Sequence, residues 1–426
     1  MSVMYDIAYA VGVVASSPVW VCRLAATGKW RTDWAARFGR VEPLGRGAAK
    51  TLLIHAVSVG EVNAIRLLVQ RLAERAPNLR LVISTTTDTG QARAKSLFEP
   101  RHRVVRFPLD FTFSVRRFLD AVRPDAAALV ENEVWPNFMA ECERRSIPVC
   151  LVNGRLSERS FKRYRMIAPI ARRMYGKLTV AAVQTQAYAD RLAQFGLPAN
   201  RIHILDTMKW DTANIADRVD GADELGRAMG IDRSRPLIVA GSTGPGEEKL
   251  LIDMCPPNAQ LLLVPRKPER FDEVAALALG IVRRTQHPDG SVRPLDRQRL
   301  FLLDTMGELR KAYSLADVAI VGRSFLGLFG SDMIEPIALG KPTLIGPHYG
   351  DFADTVEALL AGEGIIVTSE PGRVAAELLA NRADAEALAQ RGRAVIRERQ
   401  GSTDRHVQLL LDLLEQGAVN PPLTDR

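Results

Sequence analysis

The chain has 426 residues, a length that predicts two domains because single hydrophobic cores rarely extend beyond about 250–300 residues. With 47% hydrophobic and 25% charged residues, the composition is that of an ordinary globular protein and excludes a disordered or fibrous chain. The net charge of +8 favours an anionic partner such as a nucleotide, a phosphate or an acidic lipid. Nucleic acid is disfavoured because lysines and arginines do not cluster with interleaved aromatic residues.

The N-terminal 37 residues predict a membrane-associating segment. Ile7–Val21 is apolar or small, contains Pro18 and carries no charge. Such a stretch is short for a spanning helix, and no basic residue precedes it as in a secretory signal. The tryptophans and basic residues that follow suit a membrane interface and would keep the rest of the chain in the cytoplasm: Trp20, Trp30, Trp34, Arg23, Lys29, Arg31, Arg37 and Arg40. A hydrophobic helix packed on the first domain is the alternative.

Strand and helix patterns alternate through the first half of the chain. The predicted strands are Thr51–Val57, Leu81–Ser84, Val104–Phe107, Ala126–Val130 and Pro148–Val152. The predicted helices between them are Val62–Ala73, a segment ending near Leu97, Val115–Val122 and Met139–Arg145. This alternation is typical of a doubly wound α/β domain.

The first turn joins strand to helix through Ser58-Val59-Gly60-Glu61. At a helix N-terminus the ionised carboxylate of Glu61 is favoured, which would make it a base at neutral pH. The same spacing is also that of a capping box, in which Ser58 and Glu61 only satisfy backbone groups. The local pattern leaves both interpretations open.

The segment Leu129–Asn137 ends a buried strand with Glu131, Asn132, Glu133 and Trp135. Ligands of parallel sheets bind beyond the carboxyl ends of strands, where carboxylates accept from hydroxyls and an indole packs on a sugar ring. These residues therefore indicate a sugar site, the alternative being solvated acids beside a core tryptophan. The four cysteines have no CxxC pairing and fit reduced thiols of a cytoplasmic protein: Cys22, Cys142, Cys150 and Cys255.

A second α/β pattern begins after a boundary near Leu205–Asp211. Its predicted strands are Leu237–Ala240, Leu261–Val264, Val318–Val321 and Pro342–Ile345, and its predicted helices are Glu247–Met254 and Ile334–Leu339. Two such domains in tandem imply two doubly wound domains facing each other across a cleft, with ranges 38–206 and 207–426.

Three segments of the second half could bind a phosphate or a nucleotide. Gly241–Gly246 opens a helix, where glycines let backbone N–H groups approach a phosphate. Arg266 follows a strand and can pair two phosphate oxygens, unless it belongs to a solvated basic turn. Glu335 begins a helix after a small-residue loop and could accept from ribose hydroxyls, or be a helix-start acid only. No Asp-x-Asp, zinc or serine-hydrolase spacing occurs, so neither a metal nor a cofactor is predicted.

Together these segments resemble the Kdo (3-deoxy-D-manno-octulosonic acid) transferases of lipopolysaccharide assembly. The matching stretches occur in the family's order and cover almost the whole chain: residues 54–61, 84–90, 108–110, 131–137, 152–157, 241–243, 265–271 and 335–336. The resemblance implies a GT-B fold and an inverting, metal-independent transfer of Kdo from CMP-Kdo to a lipid A precursor at the cytoplasmic face of the inner membrane.

The resemblance also implies roles for residues of this chain. Glu61 would be the general base, and Glu131 and Arg155 would lie on the acceptor side, in the acceptor-binding domain 38–206. In the donor-binding domain 207–426, Glu335 would hold the ribose and Arg266 would stabilise the leaving phosphate. Lys209, Ser242 and Ser324 would lie near the donor.

The second domain departs from the family's pattern at several positions. Lys267 replaces a histidine, Arg323 replaces a glycine, and Phe329-Gly330-Ser331-Asp332 replaces Gly-Gly-His-Asn. Asp332 adds negative charge where an anionic donor should bind, which costs affinity unless Arg323 or Lys267 offsets it. Two alternatives therefore stay open: a GT-B transferase with another donor, and a non-catalytic protein that binds the lipid A precursor.

Overall fold

The computed structural model describes residues 5–7, 9–11, 33–45, 47–287 and 299–416, which fall into two compact units. Unit 1 comprises Met1–Thr212 and Gly401–Arg426, and unit 2 comprises Ala213–Gln400. The sequence places the boundary at residues 206 and 207 and assigns the whole remaining chain to the second domain. In the structure the boundary lies at Thr212, and the last helix belongs to unit 1.

Unit 1 is built on a parallel seven-stranded sheet of order β3-β2-β1-β4-β5-β6-β7. The strands are β1 Thr51–His55, β2 Arg80–Thr85, β3 Arg103–Arg106, β4 Ala126–Val130, β5 Val149–Gly154, β6 Val180–Val183 and β7 Ile202–Ile204. Its helices are Trp34–Arg37, Val59–Ala64, Arg66–Arg75, Asp88–Phe98, Thr112–Val122, Pro136–Arg144, Glu158–Met166, Ala168–Tyr175, Gln186–Gln194 and Ser402–Gln416, with short 3-10 turns at Ala199–Arg201 and Met208–Thr212.

Unit 2 contains a second parallel seven-stranded sheet, of order β10-β11-β9-β8-β12-β13-β14. The strands are β8 Leu237–Thr243, β9 Gln260–Pro265, β10 Val282–Arg283, β11 Leu300–Leu302, β12 Val318–Val321, β13 Thr343–Ile345 and β14 Ile366–Val367. Its helices are Ala222–Met229, Glu247–Met254, Phe271–Ala275, Leu309–Leu315, Ile334–Ala338, Ala353–Ala361, Pro371–Ala380 and Arg382–Arg399, with 3-10 turns at Pro268–Arg270, Arg284–Gln286 and Gly350–Phe352.

The predicted strands are confirmed to within a few residues because their apolar runs are buried on both faces of the sheets. Every residue of β1, β4, β5 and β6 is buried, as expected for parallel strands covered by helices on both sides. The helix predicted over Val62–Ala73 is instead two helices that meet at Ile65, where the second helix begins without a side-chain cap.

The last helix, Ser402–Gln416, packs against unit 1 through an apolar face. Val407 and Leu410 are fully buried in the cluster that also contains Ile54 of β1. His406 is fully buried as well, and its Nε2 accepts the Asn153 N–H at 3.0 Å. The carboxyl-terminal segment thus completes the core of unit 1 after the chain has built unit 2.

Residues 12–32, which make up most of the predicted membrane segment, lie outside the described residues. Before them, Asp6 Oδ1 accepts the Thr112 N–H at 2.8 Å, and the Tyr9 and Phe111 rings pack edge to face with their centroids 4.9 Å apart. Within the described ranges, no helix has the length and apolarity needed to cross a membrane.

If the last helix is part of the core of unit 1, Leu410→Ala should destabilise unit 1 by about 2–5 kcal/mol, because it leaves a cavity at a fully buried position. Hydrogen–deuterium exchange should then accelerate in peptides from β1 and β4 and stay unchanged in unit 2. Gln408→Ala, on the exposed face of the same helix, is the control. Acceleration confined to unit 2 would contradict this packing.

Candidate active site

In unit 1 the candidate residues meet where the strand order changes direction. The chain runs from β1 outwards to β2 and β3, then returns to β4 on the other side of β1. Loops that leave two such neighbouring strands diverge to opposite faces of the sheet, and the space between them is the usual ligand site of this architecture. After β1 come Ser58 and, in the first turn of the next helix, Glu61, and the loop after β4 carries Glu131 and Glu133.

Glu61 lies in the first turn of the helix Val59–Ala64, and its side chain has the geometry of a cap. Ser58 is the N-cap and accepts the Glu61 N–H. In return, Glu61 Oε1 accepts from the Ser58 hydroxyl at 2.8 Å and Oε2 accepts from the Val57 N–H at 2.8 Å. Both carboxylate oxygens are thus held in place, so capping and a chemical role are compatible.

The electrostatic environment of Glu61 differs from the expectation based on the helix N-terminus. The pKa of Glu61 is raised to about 7, mainly by burial. The Val57 N–H and the Ser58 hydroxyl lower this pKa, whereas the charges of Glu131 and Glu133 raise it further. The prediction of a favoured ionised form is therefore wrong in direction, because desolvation outweighs the helix N-terminus. A carboxylate that titrates near neutral pH is well matched to general-base catalysis at that pH.

The turn after β4 carries two acids, and hydrogen bonds from neighbouring side chains hold this turn in place. Glu131 adopts a left-handed conformation with φ of +57°. The Tyr175 hydroxyl donates to Asn132 Oδ1 at 2.6 Å, and the Trp135 indole N–H donates to Glu133 Oε2 at 3.1 Å. Trp135 is only partly buried against the core, so it has both the packing of a core residue and an accessible part. Burial raises the pKa of Glu133, and the Glu131 charge adds to this effect.

Arg155 directly follows β5 and lies beside the turn after β4. Its main-chain N–H donates to the Glu131 carbonyl at 3.1 Å, which brings the two predicted acceptor-side residues together. Lys209, predicted to lie near the donor, is on the 3-10 turn Met208–Thr212 of unit 1.

Unit 2 repeats the arrangement at β8 and β12, where the strand order again changes direction. Ser242 has φ of +56° at a register shift at the end of β8. A Cβ on Gly322 would lie 2.5 Å from the Thr243 Cα, so the loops after β8 and β12 are in direct contact. Ser324 is fully buried, donates to the Val321 carbonyl and accepts the Gly346 N–H. Its hydroxyl therefore has partners within the protein.

The two arginines of the segment after β9 have different environments. Arg266 is exposed, and its guanidinium contacts no acid or carbonyl among the described residues, while its N–H donates to the Thr243 carbonyl at 3.1 Å. Arg270 is buried and forms a bidentate pair with Glu248 at 2.6 and 2.9 Å. Arg266 is thus available to an anion, and Arg270 is structural. The sequence did not reveal the Arg270–Glu248 pair, because the two residues are far apart in the chain.

Glu335 lies in the first turn of the helix Ile334–Ala338, at the carboxyl end of the unit 2 sheet. Burial raises its pKa, Arg310 at 3.9 Å lowers it, and Asp332 raises it. The Asp332 carboxylate accepts the Ile334 N–H at 2.9 Å and is otherwise exposed. Nearby, the buried Tyr313 hydroxyl finds no hydrogen-bond partner among the described residues and lies against Gly241. No sequence motif indicated Tyr313, which comes from a helix between the motifs.

Across the part of the chain that the structure describes, no group of three or more His, Cys, Asp or Glu side chains is placed to hold a metal ion. The expected absence of a metal or cofactor stays a prediction.

Residues 32–212 match the family model described as 3-deoxy-D-manno-octulosonic-acid transferase (kdotransferase). The enzyme of that name from Haemophilus influenzae is 31% identical over 402 residues, which cover 91% of this chain and 93% of the relative. The one from Bordetella pertussis is 33% identical over 421 residues, which cover 93% of this chain and 96% of the relative.

Solved structures resemble the fold at low identity. HepE from Anabaena, in complex with UDP, aligns with a TM-score of 0.59 at 15% identity, covering 86% of this chain and all of that chain. MurG from Acinetobacter baumannii aligns with a TM-score of 0.52 at 15% identity, covering 85% of this chain and 99% of that chain. The predicted α/β class is confirmed as a GT-B-like fold with two parallel seven-stranded sheets.

The Glu61 carboxyl should titrate with a midpoint near pH 7 in the folded protein. Its ¹³C resonance, assigned by its loss in Glu61→Gln, measures this directly. Glu133→Gln removes a neighbouring negative charge and should lower the midpoint, whereas Glu143→Gln, an exposed acid of the same unit, should leave it unchanged. A midpoint close to the ordinary value of 4.5 would contradict the described environment.

Proposed function

The chain belongs to the 3-deoxy-D-manno-octulosonic acid (Kdo) transferase family and is a glycosyltransferase. We propose that it transfers Kdo from CMP-Kdo to a lipid A precursor, with inversion at the anomeric carbon and without a metal ion. The observation that carries this proposal is Glu61, a carboxylate with a pKa of about 7 beside two further acids at the switch point of unit 1.

Glu61 is the general base of the proposed reaction. It takes the proton of the acceptor's primary hydroxyl as that oxygen attacks the anomeric carbon of Kdo, and the bond from that carbon to the phosphate oxygen breaks. The Ser58 hydroxyl and the Val57 N–H hold the carboxylate in one orientation, which limits the motion needed before proton transfer. A pKa near 7 gives a substantial ionised fraction and sufficient basicity at once.

Arg266 stabilises the leaving CMP phosphate in this proposal. Its exposed guanidinium has no competing carboxylate among the described residues, in contrast to Arg270. A planar guanidinium pairs two phosphate oxygens and offsets the charge that develops as the bond breaks. Ser242 and Glu335 lie at the same end of the unit 2 sheet, where Glu335 accepts from the ribose hydroxyls. Ser324 contributes to the donor site only by shaping the loop, because its hydroxyl is already hydrogen-bonded to the Val321 carbonyl and the Gly346 N–H.

Glu131 and Arg155 form the acceptor side of the proposed site, and Lys209 is assigned to the donor. The contact between the Arg155 N–H and the Glu131 carbonyl supports a common subsite. We propose that residues 1–37 hold the enzyme at the cytoplasmic face of the inner membrane. The apolar sequence of residues 7–21 and the arginines after it support this location.

A different nucleotide-sugar donor is the second candidate, and Asp332 is the observation that favours it. Its exposed carboxylate lies close enough to raise the pKa of Glu335, so two acids share the donor side. Their combined charge opposes a donor that carries both a phosphate and a carboxylate.

The proposal is tested by incubating the protein with a lipid A precursor and CMP-Kdo generated in situ, with products read by mass spectrometry. Kdo-bearing product is expected with the unaltered protein. Glu61→Gln should slow the transfer by about 10²–10⁴-fold, because the amide cannot accept the proton. Glu74→Gln, an exposed acid of the neighbouring helix, should retain full activity.

No product from a folded protein that binds the lipid would reject CMP-Kdo as the donor. A panel of other nucleotide sugars would then test the second candidate. Product formation by Glu61→Gln at the unaltered rate would reject Glu61 as the base.

A further inference from the structure

Glu247 fixes the backbone of two loops at the carboxyl end of the unit 2 sheet. It is fully buried, and none of the described cations forms an ion pair with it. Its Oε2 accepts the N–H groups of Gly244, at 2.8 Å, and of Arg323, while Oε1 accepts the Phe325 N–H at 2.9 Å. A buried carboxylate is tolerated only with such donors, so the loop after β12 is tied to the loop after β8.

Arg323 continues this connection outwards. Its guanidinium donates to the Leu328 carbonyl at 3.0 Å and, more weakly, to the Gly330 carbonyl at 3.4 Å. Its own carbonyl accepts the Gly330 N–H at 2.7 Å. Both the main chain and the side chain of Arg323 therefore bind the far end of the segment 324–330.

The segment 324–330, here called the donor loop, is anchored at its start by the buried Ser324 and Phe325, whereas residues 326–329 are not buried. Leu326 is 50% exposed and Phe329 is 61% exposed, so two of its large apolar side chains do not pack in the core. The loop leads directly to Asp332 and to the helix that carries Glu335. A displacement of the donor loop would therefore shift Asp332 and the helix that carries Glu335, at the end of the sheet where we place the donor.

The backbone at position 323 gives independent support. Arg323 has φ of +60°, a left-handed conformation that favours glycine and is strained for an arginine. Such strain persists only where surrounding contacts hold the residue, and here the contacts are those to Glu247 and to the donor loop.

We propose that Arg323 is a positioning residue for the nucleotide-sugar donor: it does not touch the donor but holds the donor loop in place. This inference rests on the proposed function, because it takes the donor to bind at the carboxyl end of the unit 2 sheet. A direct contact between Arg323 and the donor phosphate is the competing role, and the experiment below distinguishes the two.

The decisive variant is Arg323→Gly. Glycine adopts the left-handed conformation without strain and keeps the N–H that Glu247 accepts, so the variant should fold and retain its melting temperature. Without the guanidinium, exchange of the donor-loop amides should accelerate about tenfold in the ligand-free protein. The KM for CMP-Kdo should rise about five- to tenfold, because the loop must then be ordered on binding, with kcat and the acceptor KM unchanged.

Arg123→Gly is the matched control. Arg123 also has a positive φ, of +46°, and its guanidinium also donates to a main-chain carbonyl, that of Asp120, but it lies in unit 1 at the end of the helix Thr112–Val122. This variant makes the same chemical change at a comparable backbone position. It should leave the donor-loop exchange and the KM for CMP-Kdo unchanged.

Faster donor-loop exchange with a raised donor KM supports a positioning role. A raised KM with unchanged loop exchange identifies a direct ligand and overturns the proposal, as does unchanged loop exchange with unchanged KM. If the unaltered protein transfers no Kdo, the proposed function fails separately. Calorimetric binding of CMP to the same two variants then replaces the KM, and equal affinity in Arg323→Gly and the unaltered protein overturns the proposal.

Discussion

The divergence of the chain from two neighbouring parallel strands constrains everything that follows in each unit. In unit 1 it occurs between β1 and β4, and in unit 2 between β8 and β12. Because the strands themselves are buried on both faces, polar chemistry can emerge only where they end. Candidate residues from distant parts of the sequence therefore gather at one end of each sheet.

The two units use an acid at the same place for different purposes. Glu61 and Glu247 both lie in the first turn of the helix after the first strand of their sheet. Glu247 is fully buried and accepts three backbone N–H groups, which makes it part of the framework. Glu61 accepts one N–H and one hydroxyl and faces two further carboxylates, which leaves it titrating near pH 7. Differences in surroundings, at equivalent positions, separate a structural carboxylate from a candidate base.

The sequence predicted the central strands and the family because both depend on local patterns. Continuous apolar runs mark buried strands, and the segment Glu131–Asn137 is distinctive in its order of residues. The strands β6, β7, β10, β11 and β14, each two to four residues long, and the return of Ser402–Gln416 to unit 1 were not predicted. A short strand has no measurable period, and the partner of an apolar helix face is decided by tertiary packing.

The same distinction applies to the candidate site. Residue types and their order indicated Glu61, Glu131 and Arg266. The direction of the Glu61 pKa shift, the paired state of the Ser324 hydroxyl and the structural role of Arg270 depend on neighbours that only the fold provides. A local sequence pattern can identify an ionisable residue, but its pKa depends on how deeply the fold buries it.

The central claim is that Glu61 acts as the base of Kdo transfer, and the pH dependence of kcat/KM tests it most directly. For the unaltered protein we expect the rate to rise with pH through one ionisation near 7, because the base must be deprotonated. In Glu133→Gln the ionisation should move to lower pH, which an ionisation of the acceptor's own phosphate would not do. A rate that is independent of pH between about 6 and 8, or an ionisation that Glu133→Gln leaves in place, would contradict the account.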